Sequence, residues 1–228
     1  MRKKARLRAL AALLFSALTA IILSGGALAV RAPTTLVIDA GHGGLDGGAV
    51  AADGTAESGL NLAIAQRLQL LSLLCGVPVT MTRESETLSY PESESTVRAK
   101  KVWDQKRRAE LINAVENAVL ISIHQNKYPD ARPSGTQVLY GAAEGSELLG
   151  TLTHENLISA LCPGNRRVAA PVSKTIYLMK HISCPAILVE CGFLSNREES
   201  QRLKEPGYQT KLALVLAASY LQFQMRYL

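Results

Sequence analysis

Leu36-Val37-Ile38-Asp39-Ala40-Gly41-His42-Gly43-Gly44 decides the fold. An apolar run without polar alternation reads as a strand covered on both faces, as in parallel sheets. Glycines then turn the chain, and a histidine stands in the turn. The pattern recurs in Val119-Leu120-Ile121-Ser122-Ile123-His124-Gln125-Asn126 and in Ala186-Ile187-Leu188-Val189-Glu190-Cys191-Gly192-Phe193. Each polar residue comes at the end of an apolar run, where a buried parallel strand delivers a side chain to its carboxyl edge. Open α/β sheets build their sites at that edge.

Outward from these runs the chain alternates. A Gly-rich loop over 41–54 follows the first strand, 35–39. The spacing of Leu60, Ile64, Leu68 and Leu71 predicts a helix over 58–74, stopped by Gly76. A strand is expected over 77–82. The polar, acidic stretch 84–96, with Pro91, is a surface loop or lid. A helix over 97–115 leads into the strand 119–123, and a loop over 125–135 into a strand over 135–140. A helix over 144–161 and a Pro-Gly turn at 163–164 follow. Ile176 to Met179 reads as a short strand, 186–190 as a full one, and the chain closes with an amphipathic helix from Tyr208 to about Phe223. Strands alternating with helices indicate an α/β fold, a three-layer sandwich around a mostly parallel sheet.

The chain has 228 residues, 47% of them apolar, which suits one domain with a full core plus an appendage. Its formal charge of +6 is concentrated at the start. Arg2, Lys3, Lys4, Arg6 and Arg8 account for five of the 25 basic residues; without them 20 face 19 acidic ones, a net of +1. No basic stripe is interleaved with aromatics, so no nucleic-acid partner is expected. The five charges precede an uncharged stretch from Ala9 to Val30. That is the order of a signal peptide, and Ala27-Leu28-Ala29 is a small-x-small cleavage site. The stretch is also long enough to cross a bilayer as a retained anchor. Residues 1–30 are therefore expected to be a signal peptide or N-terminal membrane anchor, 31–34 a linker, and 35–228 the folded domain. Positive residues stay in the cytoplasm, which places that domain on the extracytoplasmic side. Cys75, Cys162, Cys184 and Cys191 form no C-x-x-C pair. They read as buried or partly buried thiols, with Cys75 in the core.

The polar residues at the strand ends satisfy the count of a metal hydrolase. Hydrolytic zinc takes three protein ligands and keeps one position for water. His42, Glu57 and His124 are suitable ligands, giving a site of net charge +1. A further carboxylate off the metal then takes the proton from water and passes it to the leaving amine. Glu190, directly after Ala-Ile-Leu-Val, is costly there without such a role. Asp39 and Asn126 are placed to orient the ligands.

The blocks Val37–Gly44, Ser122–Asn126 and Val189-Glu190-Cys191-Gly192-Phe193-Leu194-Ser195-Asn196 resemble the signatures of the zinc-dependent N-acetylmuramoyl-L-alanine amidases of the Amidase_3 family. The similarity runs over about residues 35–224, in order. It implies a mixed sheet of about six strands flanked by helices and one catalytic Zn2+ ion. It also implies His42, Glu57 and His124 as metal ligands and Glu190 as the catalytic glutamate. The implied substrate is peptidoglycan, cut between the lactyl group of N-acetylmuramic acid and L-alanine of the stem peptide. Departures are small: Ala40 stands where the family often has Pro, Lys127 where it has a small apolar residue, and Ser58-Gly59 in place of a more usual polar pair. The N-terminal segment, Ile176-Tyr177-Leu178-Met179-Lys180 and the lack of wall-binding repeats look most like the short sporulation-type amidases, which implies a role in spore cortex maturation. An accessory protein is a possible further partner. Two alternatives stay open: a membrane-tethered wall-binding protein without catalysis, and a zinc peptidase cutting within the stem peptide.

Other polar residues read more plainly. His154 is expected at the surface and His181 near the site rim. Arg83, Arg107 and Arg108 read as surface charge, with contact to peptide carboxylates as the functional alternative. A Cys191–His124 nucleophile pair would leave His42 and Glu57 unexplained. Trp103 fits either a sugar platform or a helix contact.

Overall fold

The run that opens the domain forms β1, Thr35–Ala40, buried along nearly its whole length. The computed structural model describes residues 34–227; the signal or anchor segment 1–30 and most of the linker lie outside them. Chain order continues with α1 (Glu57–Leu74), β2 (Val79–Met81), α2 (Val97–Asn113), β3 (Ala118–Asn126) and β4 (Gln137–Tyr140). Then come α3 (Ser146–Leu161), β5 (Ala170–Pro171), α4 (Tyr177–Lys180), β6 (Ala186–Phe193), α5 (Arg197–Lys204) and α6 (Pro206–Tyr227). The six strands lie in the order β2-β1-β3-β6-β4-β5. β2, β1, β3 and β6 are parallel; β4 runs antiparallel to β6, and β5 parallel to β4. The sheet is thus mixed and mostly parallel, the α/β sandwich the sequence implies.

Alternation along the strands sorts the two faces. Leu36, Ile38, Ile121, Ile123, Ile187 and Val189 pack under α1, α3 and α6, with Leu68, Leu157 and Phe223 among their partners. Val37, Leu120 and Leu188 turn to the other face and meet Ile112 of α2 and Leu178 of α4. Asp39, Ser122, His124 and Glu190 continue that second set, at the carboxyl edge. The chain leaves β1 toward β2 on one side and β3 on the other. A crevice opens at such a reversal of strand order.

Local chemistry sets the element ends. Gly76, at φ +75°, closes α1: its N–H donates to Leu73 O and Val77 N–H to Ser72 O (3.0 Å each), a Schellman closure. Thr96 caps α2, its hydroxyl accepting from Ala99 N at 3.1 Å. Three elements differ from expectation. Ile176–Met179 is not a strand; its residues mostly belong to the helical turn α4, since a short apolar run has no period that separates strand from helix. The real edge strand is Ala170–Pro171, kept to two residues where Pro171 lacks an N–H for the ladder. α5 carries no apolar period that marks it in the sequence; Asn196 caps it by accepting from Glu198 N and Glu199 N at 3.1 and 3.2 Å.

Candidate metal centre

His42 leaves β1 in a left-handed conformation, φ +62°, which strains a residue with a side chain. Two buried arginines hold the turn by its carbonyls. Arg83 donates from Nε to Ala40 O (2.9 Å) and from Nη2 to Gly41 O (3.1 Å). Arg108 donates from Nη1 to Ala40 O (2.7 Å) and from Nη2 to His42 O (2.6 Å). Space for the side chains comes from glycine. A Cβ on Gly41 would lie 2.3 Å from the His124 ring, and one on Gly48 2.6 Å from Glu57 Oε2 and 2.7 Å from the His42 ring.

Glu57 opens α1 and is 3% exposed. Its Oε2 accepts from Ala49 N (2.8 Å); its Oε1 accepts from Gln125 N (3.0 Å) and Asn61 Nδ2 (3.2 Å). Both imidazoles meet this carboxylate: His42 Nε2 lies 3.3 Å from Oε2, and His124 Nδ1 3.0 Å from Oε1. The two rings stand edge to face, 5.0 Å between centroids. One ligand atom from each of His42, Glu57 and His124 falls within 4.8 Å of the others. Glu190 lies directly across from His124 in the β3–β6 ladder. Its Oε2 is buried without a hydrogen-bond partner among the described residues. The four side chains singled out in the sequence are therefore brought together.

The sequence matches the N-acetylmuramoyl-L-alanine amidase family over residues 36–219. The chain belongs to that family. It is 35% identical over 189 residues to the germination-specific N-acetylmuramoyl-L-alanine amidase of Bacillus subtilis (strain 168), covering 82% of this chain and 78% of that protein. The CwlD amidase of Clostridioides difficile, solved in complex with the GerS lipoprotein, superposes with a TM-score of 0.80 at 34% identity, over 84% of this chain and 98% of that one. AmiC2 of Nostoc punctiforme gives 0.71 at 25%, over 84% and 97%. The fold and the peptidoglycan amidase activity follow.

Electrostatics in this amidase divide the acids. Burial opposes ionisation of Glu57, but the His124 and His42 contacts outweigh it and hold the carboxyl far below the usual range. Burial works against charge on His42 too, yet Asp46 and Glu57 lift it to about 9. The same negative field favours a metal cation between these groups. Glu190 goes the other way: burial raises it to about 7, with the Glu57 charge adding and the histidines opposing. Around them lies a cleft of about 350 Å³, walled by Lys101 and Gln105 of α2 on one side and by Ile176 and Tyr177 on the other.

Several expectations need correction. Asp39 does not orient a histidine; its oxygens accept from Arg108 Nη1 (2.8 Å), Thr82 Oγ1 (2.7 Å) and Ser122 Oγ (2.6 Å). Nor does the Asn126 side chain bond to one, among the described residues. The orienting carboxylate is Asp46, whose Oδ2 accepts from His42 Nδ1 at 2.9 Å and whose Oδ1 pairs with Lys101 Nζ at 2.7 Å. Neither residue carries a functional signal in the sequence; Asp46 sits four residues after His42, but in a glycine-rich loop it passes for a turn former. Arg83 and Arg108 are not surface charge but 4% and 3% exposed. His154 is buried, with Nε2 2.8 Å from Arg167 O. Cys75 is exposed rather than core, and all four thiols are free. Trp103, on α2, stands edge-on to Tyr90 of the 84–96 loop at 5.8 Å. His181 stacks on Tyr177 at 3.9 Å, beside the cleft.

Proposed function

We propose that this amidase is zinc-dependent, with His42, Glu57 and His124 as ligands and Glu190 as general base and acid, and that it cuts between N-acetylmuramic acid and L-alanine. The observation that carries the reading is the three-residue cluster facing Glu190, whose buried Oε2 has no hydrogen-bond partner among the described residues. Two imidazoles and one carboxylate fit zinc, and Gly41 and Gly48 clear the room they occupy. Bound zinc supplies Lewis acidity, lowering the pKa of water and polarising a carbonyl oxygen. The chain's own residues do the rest. Asp46 accepts from His42 Nδ1 and so turns Nε2 toward Glu57. Glu190, raised to about 7, ionises near neutral pH and still returns a proton readily. It takes the proton from attacking water and delivers it to the departing L-alanine nitrogen.

Two relatives support a place in spore cortex maturation: one named germination-specific, the other CwlD. That CwlD is solved with a lipoprotein supports an accessory protein here as well. The uncharged stretch Ala9–Val30 supports export and either anchoring in the membrane or cleavage, with the domain on the extracytoplasmic side. Among the described residues no helix is long and apolar enough to cross a membrane. Mass spectrometry of digested wall fragments tests the reaction. Free lactyl ends on muramic acid and peptides beginning with L-alanine are expected. Cuts within the stem peptide would make the protein a peptidase instead.

A further inference from the structure

One exposed positive charge stands in the wall of the amidase cleft. Lys101 of α2 lines it together with His42, Asp46, His124 and Glu190. The other cation of that lining, Arg108, is 3% exposed and already engaged by Asp39, Asp104 and the carbonyls of Ala40 and His42. The Lys101 side chain keeps 46% of its surface open. It makes one polar contact among the described residues, from Nζ to Asp46 Oδ1 at 2.7 Å.

An ammonium has three N–H donors. Asp46 takes one, so two remain for a ligand. The same contact holds a flexible side chain in place, and a lysine already ordered loses less freedom when an anion binds. It also fixes the ammonium relative to the reacting bond. Asp46 Oδ2 accepts from His42 Nδ1 at 2.9 Å, and His42 Nε2 lies 3.3 Å from Glu57. Two short contacts, with the widths of one carboxylate and one imidazole between them, keep Nζ within about 10 Å of His42 Nε2.

We propose that Lys101 binds a free carboxylate of the stem peptide and so selects substrates that carry one. The proposal rests on the amidase reading and names what the same cleft recognises past the bond being cut. A peptide extends at most 3.3–3.6 Å per residue, so a carboxylate within about three residues of the scissile amide comes to the ammonium. The wall opposite, Ile176 and Tyr177, carries no charge. Lys101 is therefore the exposed side-chain cation that such a carboxylate meets in the cleft.

Steady-state kinetics of the full chain on two soluble muropeptides tests this, one with free peptide carboxylates and one with those groups as carboxamides. Wild-type KM should be about fivefold lower on the free acid, the upper scale of a half-exposed ion pair. Lys101→Met should bring the two KM values within about twofold of each other, and Lys101→Arg should restore the gap. Support that Lys101 lends to Asp46 acts on both substrates alike and leaves their KM ratio unmoved. Lys106→Met removes an exposed cation of the same helix that does not line the cleft, and should leave the ratio as in the wild type. Equal wild-type KM on both substrates overturns the proposal. So does a Lys101→Met penalty of equal size on both; zinc lost in parallel would then make Lys101 a positioning residue for Asp46. A Lys106→Met effect as large as that of Lys101→Met would reduce the preference to net charge and overturn it too. Product masses showing cuts within the stem peptide would instead sink the amidase reading, while the KM ratio still decides what Lys101 binds.

Discussion

At Glu190 one side chain carries two opposed demands. Its Oε2 is buried by β6 and its neighbours and receives no hydrogen bond among the described residues. That cost explains both its rise to about 7 and the proton traffic assigned to it. Glu190→Gln keeps the shape and removes the titration. We expect kcat to fall by about 10²–10⁴-fold, the usual worth of general acid–base help, with zinc content unchanged. Loss of zinc in parallel with activity would make Glu190 a ligand and undo the assignment. Asp46 acts one bond away: Asp46→Asn should weaken zinc affinity by roughly 10–100-fold, measured by competition with a chromogenic chelator. An unchanged affinity would reduce the Asp46–His42 bond to loop packing. The clustering of His42, Glu57, His124 and Glu190 was legible because each stands in or beside a conspicuous apolar or glycine-rich pattern. Asp46 was not, because no local period marks a carboxylate that folds back on a histidine four residues earlier. Asp39 misled for the converse reason: it is adjacent in sequence, but strand alternation aims it at Arg108 and Ser122.

Between β1 and α1 the loop has little regular structure to fix it, and its hold comes from outside. Arg83 follows β2 and Arg108 belongs to α2; each reaches back to the carbonyls of Ala40–His42. Arg108 also pairs with Asp39 and Asp104 at 2.8 Å each, all three largely buried. Burial opposes the charge on Arg108, yet Asp39 and Asp104 outweigh it and push its pKa up. Arg108→Met would leave the buried Asp39 without its cation, while Asp104 keeps Arg107 at 3.2 Å. Removing one partner of a buried pair costs about 3–5 kcal/mol, so a clear drop in the urea midpoint is expected, and with it a weaker zinc site. A variant as stable as the wild type would mean that the ion network is not what holds the turn. Sequence patterns showed α2 as a helix but not what its polar face does. Arg107-Arg108 looks solvated until the sheet is assembled beneath it. The misread at Ile176–Met179 has a similar origin, since four apolar residues fit a strand or a turn of helix and only α2 above them decides.

Across the whole molecule, distant segments meet at one edge of the sheet. Acid stability follows from the same burial. Asp39 has a folded pKa lowered to about 2 from the usual 3.8: burial alone would raise it, but Arg108 and the Ser122 and Thr82 hydroxyls prevail. Its contribution is complete above pH 4 and is lost as pH falls from 3.8 toward 2; the difference is worth about 2 kcal/mol. Asp39→Asn should flatten that acid limb in urea titrations, and an unchanged limb would assign it to other carboxylates. The proposed metal would act at the same scale. His42, Glu57 and His124 lie after β1, at the start of α1 and on β3, so an ion held by all three links segments that separate on unfolding. Saturation at about 100 times Kd stabilises by about 2.7 kcal/mol, provided the unfolded chain does not bind. In a domain of this size each kcal/mol moves Tm by roughly 2–4 °C, so chelation should lower Tm by about 5–10 °C and added zinc should restore it. His42→Ala, with one ligand gone, should melt at nearly the same temperature with and without chelator. Equal melting of the wild type under both conditions, with zinc shown to be bound beforehand, would place the ion elsewhere than among these three side chains.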